Sequence, residues 1–253
     1  MFSVMPSYIL GSVYERFLGK EINTEGPITK IDDKPAVRKA GGVYYTPEYI
    51  VKYIVENTIQ KPNDKIKILD PACGSGSFLL IAYEYMLDYY KMKKPSGKLT
   101  LAEKKQILTD HIYGVDLDPQ AVEVTMLSLY LKVLEGVTSE EVTAHTQKGK
   151  QKILPSLHNN IKCGNSLIDD SSVVGEKAFV WEKEFPQVLL GGGFDVVVGN
   201  PPYVQLQKDK ENSKNYAHYK TYTATGDIYC IFYEQAINLL KTNGTLGMIT
   251  SNK

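Results

Sequence analysis

The sequence predicts an α/β protein built on a doubly wound, mostly parallel sheet. Three observations support this: short apolar runs alternate with longer helical patterns, two of those runs pass directly into glycine- or proline-rich turns, and 253 residues suffice for a substantial core.

At the amino terminus, Leu10, Val13, Tyr14, Phe17 and Leu18 fall on one helical stripe, with Ser7 placed to cap it and Gly19 to stop it. Residues 20–40 carry mixed charge, two prolines and no periodicity, which reads as a linker. The expected organisation is a helical connector and linker over 1–40 and a main domain over 41–253. Within that domain, strands are expected at 66–70, 111–116, 159–163, 194–200 and 244–250. Helices are expected at 77–90, 119–134 and 227–241, together with one after Thr46 that buries Ile50, Val51, Ile54 and Val55. The Lys-bearing stretches 91–108 and 138–157 read as solvated helix ends and loops, with a DNA-phosphate contact as the lesser alternative.

Composition narrows the function. Three scattered cysteines, Cys73, Cys163 and Cys230, form neither a disulfide framework nor a zinc-ligand spacing, so no metal is expected and all three read as small apolar packing residues. No apolar run is long enough for a membrane span and no export signal opens the chain, so a cytoplasmic protein is expected. Lys and Arg balance Asp and Glu at 29 each, so any nucleic-acid partner must be argued from a site rather than from bulk charge.

The first strand of the main domain runs into Asp70-Pro71-Ala72-Cys73-Gly74-Ser75-Gly76, a turn that opens a helix. Glycines two apart let the backbone approach a small ligand, and the third position after Gly76 is Leu79, which speaks against a nicotinamide fingerprint. Asp118 before Pro119 is a helix cap, whereas Asp116 ends the second strand where ribose hydroxyls are bound in such sheets. In Tyr44-Tyr45-Thr46-Pro47, Thr46 reads as N-cap and Pro47 as first helical residue, a start that also suits a ligand carboxylate. Gly199-Asn200-Pro201-Pro202-Tyr203 is the strongest signal. The prolines stiffen the backbone and remove donors, so the Asn200 amide oxygen and Pro201 carbonyl can accept from an exocyclic amine beside the Tyr203 ring.

Together DPACGSG, NPPY and YYTPEYIVKYIV resemble the S-adenosylmethionine-dependent amino-methylating DNA methyltransferases, specifically the N6-adenine class with the gamma order of motifs. SYILGSVYERFLGKEI resembles the helical connector of single-chain type IIG restriction-modification enzymes. The resemblance implies a Rossmann-like methyltransferase fold, C-terminally truncated, in which Tyr45, Thr46, Asp70, Ala72, Gly74, Gly76, Asp116 and Asn165 hold S-adenosylmethionine. Asn165 stands where many relatives carry aspartate. Asn200, Pro201, Pro202 and Tyr203 would form the target-base site. Double-stranded DNA is the implied partner, in a bacterial or archaeal restriction-modification system, with nuclease and target-recognition domains supplied by a longer protein. Methylation of cytosine N4, methylation of protein glutamine, and a noncatalytic cofactor-binding fragment are the alternatives.

Overall fold

The protein is described by a computed structural model covering residues 20–23, 30–33, 46–147, 152–208 and 213–251, with backbone alone for 20–23, 30–33 and 144–147. The helix expected around residues 7–18 and Tyr45 lie outside the described residues. Within the expected linker, β1 (Lys20–Asn23) pairs antiparallel with β2 (Lys30–Asp33), in a register that sets Ile22 opposite Ile31. Part of that segment is therefore an antiparallel pair of strands rather than linker alone.

The main sheet has five parallel strands in the order β5-β4-β3-β6-β7. In chain order, α1 (Glu48–Thr58) precedes β3 (Ile68–Asp70), α2 (Ser77–Met92), α3 (Leu101–His111), β4 (Ile112–Asp116), α4 (Pro119–Leu134), α5 (Ser139–Gln147) and β5 (Ile161–Cys163). Three short helices follow, α6 (Ser171–Val174), α7 (Trp181–Glu184) and α8 (Pro186–Leu190), then β6 (Phe194–Gly199), α9 (Ile228–Leu239) and β7 (Leu240–Met248). The chain starts in the middle of the sheet, steps outward through β4 to β5, and returns to the opposite side of β3 with β6. This reversal puts the topological switch point between β3 and β6, where doubly wound sheets open a ligand crevice at the carboxyl ends of their strands.

Each face of the sheet is covered by a distinct set of side chains. On one face α1 to α4 bury Val51, Val55, Leu79, Tyr83, Met86, Leu108 and Leu129 against Ile68, Ile112, Val196 and Val198. On the other, Phe179, Trp181, Phe185 and Phe194 pack edge to face around Leu69, Tyr113 and Val197, with ring centroids 4.9 to 6.4 Å apart, and Ala236 and Leu239 of α9 close the layer.

Several boundaries differ from the sequence reading for identifiable reasons. Pro47, not Thr46, is the N-cap of α1, and no side chain caps the helix, because the Thr46 hydroxyl faces Asn200 instead. The Lys-bearing stretches contain two helices, α3 and α5. Thr100 and Glu103 form a capping box at the start of α3, and Thr138 and Glu141 exchange the same reciprocal bonds before α5. Lys91, Lys93 and Lys94 pair with Asp88, Asp64 and Glu103, which fits solvated helix ends. β7 begins at Leu240, earlier than expected, where Lys241 is drawn onto Asp195 of β6. Cys73 is buried as expected, but Cys163 is exposed and Cys230 half-buried, so only Cys73 is a core packing residue. Burial pushes the Cys73 thiol well up, which suits packing and not nucleophilic attack.

Candidate active site

The carboxyl ends of β3, β4, β5 and β6 converge on one region, and short contacts join the segments singled out in the sequence. Asp70 ends β3, buried, and its Oδ1 accepts from the Ala72 amide at 3.0 Å. Gly199, at the end of the neighbouring β6, lies against the same carboxylate; a Cβ there would sit 2.7 Å from Asp70 Oδ1, so only glycine allows the two strand ends to meet. Asn200 follows at once. Its Nδ2 donates to the Thr46 hydroxyl at 3.0 Å, and its Oδ1 accepts from the Tyr203 hydroxyl at 2.9 Å. The start of α1, the end of β6 and the end of β3 are thereby in direct contact, although Thr46 and Asn200 are 154 residues apart in sequence.

The glycine turn is fixed from the other side. Asp116 ends β4; its Oδ2 accepts from the Gly74 amide at 2.8 Å and its Oδ1 from the Asp118 amide at 2.9 Å. Thr125 of α4 donates to the Gly74 carbonyl at 2.8 Å. Gly76 takes a positive φ of 85° at the start of α2, and a side chain there would collide with Thr125 at 2.8 Å. After β5, Ser166 donates to the Pro71 carbonyl at 2.5 Å and accepts on its own carbonyl from the Trp181 indole at 3.1 Å, which ties the Asn165 loop to the glycine turn. Asn165 Oδ1 accepts from the Leu167 amide at 3.0 Å, a local turn that leaves the carbonyl one further lone pair for a ligand.

The profile of the Eco57I restriction-modification methylase family matches residues 110–253. The chain belongs to this family. It is 34% identical, over its whole length, to the type II restriction enzyme and methyltransferase RM.Eco57I of Escherichia coli, and 27% identical over 87% of its length to the adenine-specific methyltransferase PglX of Streptomyces coelicolor. It spans 27% and 20% of those two relatives. In fold it is similar to the chain of a DrdV–DNA complex, with a TM-score of 0.58 and 19% identity over 96% of this chain and 22% of that one.

Burial shapes the electrostatics of this site. Burial, reinforced by neighbouring Asp116, pushes the Asp70 carboxyl up to about 8 despite the Ala72 amide bond. Asp116 is raised too, by burial working against the amide bonds from Asp118 and Gly74. Two enclosed acids therefore lie around the glycine turn with no described cation to balance them, an arrangement that favours a cationic ligand. A Cβ on Gly74 would meet nothing within 4 Å, so the turn has open space above it. This cradle is compatible with a methyl donor that carries positive charge.

Some sequence-predicted roles are more complicated in three dimensions. Asp116 is not a carboxylate waiting for ribose alone, since both of its oxygens already brace backbone. Pro201 is buried while Pro202 is exposed. Three residues escaped the sequence reading. Thr125 and Ser166 hold the two sides of the glycine turn, and Tyr229, at the start of α9, places its ring 5.7 Å from that of Tyr203. The sequence marked only a helix over 227–241; Tyr229 reaches the site because Asp227 caps α9 and residues 204–206 hydrogen-bond back to 226–228. A separate cavity of about 390 Å³ between α9 and residues 166–189 includes none of the predicted cofactor or base residues. Among the described residues no group of three or more metal-ligating side chains is arranged for an ion, and no helix is long and apolar enough to cross a membrane.

Proposed function

We propose that this chain is the catalytic core of an adenine-specific DNA methyltransferase of a restriction-modification system, and that it uses S-adenosylmethionine to methylate N6 of an adenine flipped out of the duplex. One observation carries the reading: the hydrogen bond from Asn200 to Thr46, with Gly199 packed on Asp70, sets an acceptor-lined corner directly beside the glycine turn.

Thr46, Asp70, Ala72, Gly74 and Gly76 would hold the methionine end of the cofactor, Asp116 its ribose and Asn165 its adenine. An exocyclic amine is a poor nucleophile because its lone pair is conjugated into the ring. Asn200 Oδ1 and the Pro201 carbonyl accept its two protons and favour a pyramidal nitrogen with that pair released. The incoming amine displaces the Tyr203 hydroxyl from Asn200 Oδ1, and the Tyr203 ring stacks on the base, an interaction of about 1 to 3 kcal/mol that offsets much of the cost of flipping. Pro202 stiffens the turn. A bound S-adenosylmethionine would supply an electrophilic methyl, so that an N–C bond would form as an S–C bond broke, a neutral thioether would leave, and the surplus amine proton would pass to solvent. Holding the two reactants in line contributes on the order of 7 to 11 kcal/mol, so no covalent intermediate and no strong base is needed.

Transfer of labelled methyl from S-adenosylmethionine to duplex DNA, followed by nucleoside mass spectrometry, tests the proposal. The expected product is N6-methyladenine. N4-methylcytosine would change the target base, label in a glutamine peptide alone would change the substrate class, and cofactor binding without transfer to either would leave a noncatalytic fragment.

A further inference from the structure

The Asn200 amide works only one way round. Its oxygen must face the target amine, because the isosteric NH2 end would present donors to donors. In the structure the amide is held between two hydroxyls, Tyr203 on Oδ1 at 2.9 Å and Thr46 on Nδ2 at 3.0 Å. A hydroxyl can donate or accept, so this pair by itself tolerates either orientation of the amide. Something must make one of the two hydroxyls a pure acceptor.

We propose that Thr46 is a positioning residue that fixes the catalytic orientation of Asn200, and that the cofactor's carboxylate sets its direction. The inference rests on the proposed function, in which that carboxylate lies against Thr46. A hydroxyl has one proton and two lone pairs. Once the Thr46 proton is donated to a carboxylate, its oxygen can only accept from Asn200. Nδ2 is then committed to Thr46, and Oδ1 points to the base. The hydrogen-bond direction runs from Asn200 through Thr46 to the cofactor, so donor occupancy prepares the acceptor corner. Thr46 is well placed for this: it is buried, it precedes the Pro47 cap, and its hydroxyl is not used to cap α1.

Thr46→Val removes the hydroxyl at nearly constant volume, and Thr46→Ser restores it. Calorimetry with S-adenosylhomocysteine and single-turnover transfer at saturating donor and DNA are measured on both variants. Thr46→Val should lose about tenfold in affinity and, separately, about tenfold in the saturated rate, the loss of one hydrogen bond in each case, while Thr46→Ser recovers most of both. In the ligand-free protein the unfolding effects of Thr46→Val and Asn200→Ala should be non-additive. A Thr46→Val protein that binds S-adenosylhomocysteine weakly yet turns over at the wild-type saturated rate overturns the positioning role, as do strictly additive unfolding effects. A wild-type chain that binds S-adenosylhomocysteine but transfers no methyl to DNA overturns the proposed function instead.

Discussion

The two ends of the central sheet carry the same kinds of residue and treat them oppositely. At the amino end, Asp195 accepts from the Lys67 amide at 2.7 Å and is paired with Lys241 at 2.9 Å, while the Lys67 ammonium caps the Asp110 carbonyl. Charges there are matched within the protein. At the carboxyl end, Asp70 and Asp116 are enclosed at the ends of adjacent strands, braced by backbone amides, with no described cation, and both are raised by burial. One end is balanced by folding, and the other keeps two enclosed acids without a described cation, as expected where local consistency gives way to function.

The largest effect that could break this contrast lies at Asn200. Asn200→Ala should lower methyl transfer by about a hundredfold or more, the scale seen when a preorganised acceptor or donor is removed from a reacting group, with cofactor affinity nearly unchanged. Equal loss in calorimetry would move Asn200 from the base site to the cofactor site.

Next in size is the pH dependence at Asp70. In the ligand-free protein its pKa of about 8 lies well above the unfolded value of about 3.9, so the folded chain keeps a proton that the unfolded chain has released. Its contribution to stability is therefore fully present below about pH 4 and is lost as pH rises through 8. A cationic ligand favours the ionised form, so cofactor binding near pH 7 should release up to one proton and tighten as pH rises from 6 to 8. Calorimetry in buffers of different ionisation enthalpy measures the release, and Asp70→Asn should abolish it. Buffer-independent heats for the wild type would mean that Asp70 stays protonated and only braces the turn.

The amino end gives the complementary result. Asp195→Ala strands the Lys67 amide and the Lys241 ammonium, and should cost roughly 1 to 3 kcal/mol in denaturant unfolding without changing the saturated transfer rate. A loss of transfer with unchanged stability would show that the two ends are not separate.

The same contrast explains what could be read from sequence. α4 runs over 119–134 as expected, because Asp118 caps it locally and Pro119 occupies its first position. The order of strand, glycine turn and helix around Asp70 to Gly76 was equally legible, since local conformation dictates it. The capping boxes at Thr100 and Thr138 were present as Thr-x-x-Glu and were hidden only by the surrounding lysines. By contrast, Thr46 looked like an N-cap because its true partner, Asn200, lies 154 residues away. Thr125, Ser166 and Tyr229 are similarly defined by partners that only the sheet order brings near.

The smallest expected effect tests that last point within one helix. Thr125 and Ser128 lie on the same buried side of α4, three residues apart, and both carry hydroxyls. Thr125 spends its proton on the Gly74 carbonyl, whereas the buried Ser128 Oγ has no hydrogen-bond partner among the described residues. Burying an unpaired hydroxyl costs free energy that its removal recovers, and alanine is the better helix former. Ser128→Ala should therefore raise stability by about 1 kcal/mol and leave cofactor affinity unchanged, while Thr125→Val, which loosens the glycine turn, should weaken cofactor binding. If Ser128→Ala instead destabilises the fold or weakens cofactor binding, the support of the turn extends further along α4 than Thr125.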